Sequence, residues 1–144
     1  MTITDAIERT LELAAPQAKV WDAIATAKGI CSWFCQRVIG DWSPGQTVEM
    51  AWGEDRVKAK VVASEPMTRF AYRWVPGCAN DGLPYEEANT TEVEFTLTPT
   101  ASGTRLRLVE SGFSKLPASH IERCFRDNDQ GWDDELPKLA ALFA

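Results

Sequence analysis

Arg9 and Glu110 are charged residues set in apolar patterns. The segment Ile7-Glu8-Arg9-Thr10-Leu11-Glu12-Leu13 alternates, which predicts a half-buried strand with Ile7, Leu11 and Leu13 inward. Arg9 falls on that inward face. Leu106, Leu108 and Glu110 share the inward face of a later strand. A buried charge without a partner costs several kcal/mol, so each needs a partner or a route to water. Two uses are open. The pair is a polar anchor for a ligand carboxylate or carbonyl, or it is a structural ion pair, with Glu110 reaching water at the strand end as a variant. Tyr72 also points inward by alternation. Its hydroxyl either polarises a carbonyl or satisfies a buried acceptor. With Arg9 and Glu110 it would form the acid/base set of an enzyme acting on a poly-carbonyl substrate, although no spacing in the chain establishes a tuned pair.

The aromatic residues are the second feature. Of six tryptophans, Trp21, Trp33, Trp52, Trp74 and Trp132 fall in apolar patterns. They read as an aromatic core or as the wall of a pocket for a flat apolar ligand, and one wall can be both. Asn128 lies on the apolar stripe of the last helix and needs a partner there: a ligand, a water or backbone. His120 shows no Cys, Ser or Asp partner at a triad-like spacing and reads as a solvated imidazole. Cys31, Cys35, Cys78 and Cys124 read as reduced, mostly buried thiols, with Cys31 and Cys35 on one helical face. One His and four scattered Cys make a poor zinc ligand set. No metal or cofactor is expected.

The elements that position these residues follow from periodicity. After the first strand, Pro16 opens a helix carrying Val20, Trp21 and Ile24, Gly29 interrupts it, and a second short helix carries Ile30, Trp33 and Phe34. Alternation then predicts strands over Val48-Met50-Trp52, Val57-Ala59-Val61-Ala63, Phe70-Tyr72-Trp74, Thr91-Val93-Phe95-Leu97 and Leu106-Leu108-Glu110. The turns are Ser43-Pro44-Gly45, Gly53-Glu54-Asp55, Glu65-Pro66 and Ala101-Ser102-Gly103. The loop from Pro76 to Asn89 includes Asp81-Gly82. It is either a lid, with Leu83 and Tyr85 closing over a ligand, or an ordinary surface loop. From about Pro117 onward, Ile121, Phe125, Asn128, Trp132, Leu136, Leu139 and Phe143 recur at helical spacing, with a bend or break expected near Gly131 or Pro137. The links between strands are too short for crossovers, so the sheet is antiparallel and the class is α+β.

Length and charge narrow the function classes. A chain of 144 residues fits one domain, spanning residues 1–144. Hydrophobic residues make up 44% and charged residues 25%, a folded rather than disordered profile. The net charge of −6 argues against non-specific nucleic-acid binding and against docking on anionic membranes. No apolar run is long enough for a membrane span. Met1 to Asp5 has no signal-peptide pattern, so a cytoplasmic location is expected.

Together, in order, these residues resemble the START-like, helix-grip (SRPBCC) superfamily. Within it, the chain is similar to the family of the C-terminal part of the heat-shock protein 90 ATPase activator. The resemblance rests on Arg9, Ala15-Pro16, Val20-Trp21, Ile30, Trp33-Phe34, Pro44-Gly45, Glu65-Pro66, Tyr72 and Trp74. It continues through Gly103-Thr104-Arg105-Leu106, Glu110-Ser111-Gly112-Phe113, Gly131-Trp132, Leu136 and Leu139. It implies a curved antiparallel sheet of about six or seven strands wrapped around a long C-terminal helix, with a cavity between. It also implies that the first and last strands are neighbours, so that Arg9 and Glu110 meet in a salt bridge at the cavity wall. The expected function is binding of a small apolar or aromatic, metabolite- or lipid-like molecule in that cavity. The cavity candidates are Arg9, Trp33, Trp52, Tyr72, Trp74, Phe95, Glu110, Asn128 and Trp132, and no catalytic residue is assigned. The alternatives are a polyketide cyclase/dehydratase-like enzyme and a protein that binds a chaperone or other protein partner. A homodimer is compatible with either.

Overall fold

The computed structural model describes residues 4–77 and 83–144. Strand β1 (Ala6–Leu13) leads into helices α1 (Gln17–Ala25) and α2 (Ala27–Ile30). Six strands follow: β2 (Arg37–Ile39), β3 (Thr47–Trp52), β4 (Asp55–Glu65), β5 (Arg69–Trp74), β6 (Thr91–Thr100) and β7 (Gly103–Ser111). Helix α3 (Ile121–Ala141) ends the chain. The strands form one antiparallel sheet in the order β1-β7-β6-β5-β4-β3-β2. Only the β1–β7 pairing is not between sequence neighbours, so hairpins build nearly the whole sheet. This is the helix-grip α+β fold, with seven strands and the two short helices after the first one.

Register places the inward residues in rows. Ile7 faces Glu110, Glu110 faces Val93, Val93 faces Tyr72, and Tyr72 faces Val61. The next row runs Arg9, Leu108, Phe95, Phe70. Because successive side chains alternate between faces, both rows lie on the side covered by α3. A bulge between Val61 and Ala63 shifts the β4–β5 register; such bulges bend a strand and increase its twist. Helix α3 returns Cys124, Phe125, Trp132, Leu136 and Leu139 as its buried stripe, at spacings of a helical turn. It runs continuously through Gly131 and Pro137, so a break does not occur there. Pro137 removes one donor near the helix end, where the stripe on both sides is already held by packing.

Helix α1 shows how side chains position the site. The last carbonyls of a helix have no partner within it. Here Thr26 Oγ1 donates to Asp22 O at 2.7 Å, Trp33 Nε1 to Ala23 O at 2.8 Å and Trp42 Nε1 to Ile24 O at 3.0 Å. Two indoles thus cap α1 while their rings enter the core. Helix α2 is shorter than the sequence pattern predicts. It contains Gly29, and Trp33 and Phe34 follow it in turns. Gly29 is required by contact: a Cβ there would lie 1.7 Å from Asp22 O. Gly29→Ala is expected to lower the unfolding free energy by about 2 kcal/mol, because overpacking forces the two helices apart. Urea denaturation checks this; an unchanged midpoint would show that the junction yields freely.

Candidate functional site

A cleft of about 470 Å³ opens between the middle of α3 and the ends of β3, β4 and β5. Trp52, Asp55, Val57, Trp74 and Gly77 line it from the sheet side, Asn128, Gly131, Trp132 and Glu135 from α3, and Phe34 from the turn after α2. The rings form a continuous wall. Phe34 stacks on Trp132 with centroids 5.2 Å apart and planes 9° from parallel. Phe34 meets Trp52 edge-on at 5.2 Å, lies tilted by 37° against Trp74 at 5.7 Å, and Trp74 stacks on Trp132 at 6.2 Å. The stacked and edge-on contacts among these are the geometries that ring quadrupoles favour. Trp52 is held by its Nε1 donating to Phe34 O at 2.7 Å, which joins the hairpin of β3 and β4 to the turn carrying Phe34.

Gly131 is informative by what it lacks. A Cβ there would meet nothing within 4 Å, and the residue lines the cleft. Glycine inside a helix costs about 1 kcal/mol relative to alanine. No steric reason for glycine exists at this point, and the space its side chain would take belongs to the cleft.

Behind the aromatic wall lies Glu110, fully buried. Its Oε2 accepts from Thr91 Oγ1 at 2.6 Å, Asn128 Nδ2 at 2.8 Å and Trp74 Nε1 at 2.9 Å, and its Oε1 from Trp132 Nε1 at 2.8 Å. An indole N–H can only donate, and one faces each oxygen, so the arrangement is built for a carboxylate. Burial pushes the Glu110 carboxyl above its ordinary value, against the pull of these hydrogen bonds. Three of its donors, Trp74, Asn128 and Trp132, line the cleft, whereas Glu110 itself does not.

The expected Arg9–Glu110 salt bridge is not formed. Arg9 stands opposite Leu108, one inward row from the Ile7–Glu110 pair. Its Nη2 donates to Asp129 Oδ1 at 2.7 Å and its Nε to Asp133 Oδ1 at 3.0 Å. Strand β1 is the sheet edge, so the long side chain reaches the half-exposed flank of α3 and ties helix to sheet there. Glu110 lies one strand further in, under the indoles.

Of the sequence candidates, Trp52, Trp74, Asn128 and Trp132 come together on the cleft. Trp33 and Phe95 lie deeper, touching edge-on at 6.5 Å, and Phe95 meets Trp132 edge-on at 6.4 Å. Tyr72 is fully buried behind Trp74, and its hydroxyl has no hydrogen-bond partner among the described residues. Burial, then the Glu110 charge, holds that phenol well above its ordinary value. Tyr72 therefore neither satisfies a buried acceptor nor faces the cleft. Phe34, Asp55, Val57, Gly77, Gly131 and Glu135 were not legible as lining residues. The absence of a steric contact at Gly131 was the one local signal, and it needs the helix position to be read.

The remaining motifs lie elsewhere. Sγ of Cys31 and Cys35 are 3.5 Å apart, and burial pushes the Cys35 thiol up to about 12. Cys124 is disulfide-bonded, so the reading of four reduced thiols fails there; Cys78 lies outside the described residues. The Asp81-Gly82 turn also lies outside them, while Leu83 and Tyr85 pack partly buried against the core. His120 is half-buried at the start of α3, and its Nδ1 lies 3.1 Å from Ser119 Oγ. No helix among the described residues is long and apolar enough to cross a membrane.

The family model described as activator of Hsp90 ATPase homolog 1-like protein matches residues 14–144. No curated protein matches the chain. Among solved structures, a Mesorhizobium loti protein is 24% identical with a TM-score of 0.77, and 95% of each chain is covered. The Aha1 dimer from Colwellia psychrerythraea is 18% identical with a TM-score of 0.75, covering 97% of this chain and 96% of that one. DynU16, a protein of the dynemicin biosynthetic locus, is 22% identical with a TM-score of 0.73; 96% of this chain spans 46% of it. At these identities the likeness is one of fold.

Proposed function

This chain belongs to the family of activator of Hsp90 ATPase homolog 1-like proteins, and from that premise we propose that it binds a small, mainly apolar molecule in the cleft between sheet and α3. The observation that carries this is the ring wall of Phe34, Trp52, Trp74 and Trp132 around a space of about 470 Å³. An apolar concavity of that volume with a few polar groups is the usual form of a small-molecule site. Gly131 supports the same reading, since the helix forgoes stability where a side chain would fill the cleft.

Turnover is less well supported than binding. A cyclase-type reaction needs an acid/base group within reach of the substrate. Glu110 is enclosed by its four donors, and Tyr72 lies behind Trp74. A surface for a protein partner would be a contiguous exposed apolar patch. Among the described residues the large exposed apolar ones are Ile39, Val62, Met67 and Leu142, which fall on β2, β4, the β4–β5 turn and just after α3. A homodimer accords with the Aha1 dimer of Colwellia psychrerythraea, which shares the fold.

Gly131→Leu is the discriminating variant. Freshly purified wild-type protein is expected to carry a non-covalent mass adduct in native spectra that vanishes on denaturation. The variant is expected to lose the adduct while melting at the same or a higher temperature, because leucine favours helix over glycine. An adduct retained in full by the variant would place the ligand elsewhere. Bare wild-type protein, with no thermal shift from apolar metabolites, would sink the binding reading.

A further inference from the structure

The charges around the cleft are of one sign. Asp55 and Glu135 are the charged residues among its described lining, and no Lys, Arg or His joins them. Lys138 holds Glu135 at 3.1 Å but is not a lining residue. A third carboxylate, Glu110, lies directly behind the wall with no cationic partner among its contacts.

The indoles connect that buried charge to the cleft. Trp74 and Trp132 donate their N–H groups to Glu110 at 2.9 and 2.8 Å. An N–H that donates to an anion leaves the ring richer in electron density, and the negative face of an aromatic ring attracts cations. Trp74 and Trp132 line the cleft beside Trp52 and Phe34 but are 6% and 2% exposed, with Phe34 stacked on Trp132, so half-buried Trp52 is the ring most open to the cleft. Water screens Asp55, which is exposed, more than the fully buried Glu110. Carboxylates thus stand at the rim of the cleft and behind its wall.

We propose that the ligand of this cleft is an organic cation, an apolar body bearing an ammonium or similar group that rests on the indole wall between the carboxylates. The proposal rests on the cleft being the binding site, as argued above, and adds the ligand's charge. An anionic ligand such as a fatty acid would meet the Asp55 and Glu135 carboxylates with no cation among the described lining residues.

Three probes of one skeleton separate the two claims: 4-phenylbutylammonium, 4-phenylbutanol and 4-phenylbutyrate. Binding is read by calorimetry and by the indole N–H signals of Trp52, Trp74 and Trp132 in nitrogen-15 spectra. The ammonium is expected to bind about tenfold tighter than the alcohol, a usual yield for a partly desolvated cation on aromatic faces, and the butyrate weakest. The double variant Asp55→Asn, Glu135→Gln is expected to weaken the ammonium about threefold and leave the alcohol unchanged. An alcohol that binds as tightly as the ammonium would overturn the charge assignment and leave the cleft reading standing. Silence of all three indole signals with every probe would overturn both.

Discussion

Glu110→Ala is expected to lower the unfolding free energy by about 3–5 kcal/mol, read from urea denaturation monitored by tryptophan fluorescence. The cost does not come from losing a charge. It comes from what the charge satisfies: Trp132 Nε1 and Asn128 Nδ2 have Glu110 as their side-chain acceptor, and Thr91 and Trp74 converge on the same Oε2. Trp74 Nε1 retains Thr91 Oγ1 at 3.1 Å. Trp132 and Asn128 are left without that acceptor under the wall, and each unsatisfied donor costs about 1–3 kcal/mol. A change below about 1 kcal/mol would mean that water enters from the cleft and replaces the carboxylate, since that would satisfy both donors.

The same carboxylate sets a pH dependence. Its value in the folded protein is raised above the ordinary 4.5. Between those two values the folded state holds a proton that the unfolded state has lost. Stability from this group is therefore full below the ordinary carboxyl range and falls as pH rises through the folded value. Glu110→Gln cannot titrate, so the difference in stability between wild type and variant should change in that window and be flat above it. A wild type that instead gains stability relative to the variant on passing upward would mean that the hydrogen bonds outweigh burial.

These two residues also show what the sequence conveys. Alternation places Arg9 and Glu110 on the inward face correctly, because period two is a local property of a strand. It does not say which side chain reaches which, since that depends on α3 crossing the sheet with Asp129 and Asp133 toward the β1 edge. Those two aspartates look like ordinary solvated positions beside the apolar stripe. Asn128, on the stripe itself, was legible, and its partner was not. Strand β2 has three residues, too few for alternation to register, yet it closes the sheet against β3. Apolar spacing alone places Phe34 on a helix, whereas it lies in the turn after α2. Its position in the cleft wall comes from ring contacts to Trp52, Trp74 and Trp132, which are all distant in sequence.

Trp132→Ala is expected to cost about 3–5 kcal/mol, the range for removing a large buried aromatic side chain. The ring stacks on Phe34 and Trp74 and meets Phe95 edge-on, so its loss opens the wall as well as the core. Trp132→Phe keeps much of that contact and removes the N–H from Glu110 Oε1. Combining it with Glu110→Gln isolates the hydrogen bond. In the single Gln variant the amide oxygen is held at the Oε2 position by Trp74, Thr91 and Asn128, which leaves the amide NH₂ facing the Trp132 N–H. Two donors then oppose each other in a buried place, and Trp132→Phe removes one of them. The double variant should consequently be more stable than the sum of the single losses predicts, by about 1–2 kcal/mol. Additivity within about 0.5 kcal/mol would mean that the indole is held by its stacking alone, and that Glu110 does not act on the cleft wall through it.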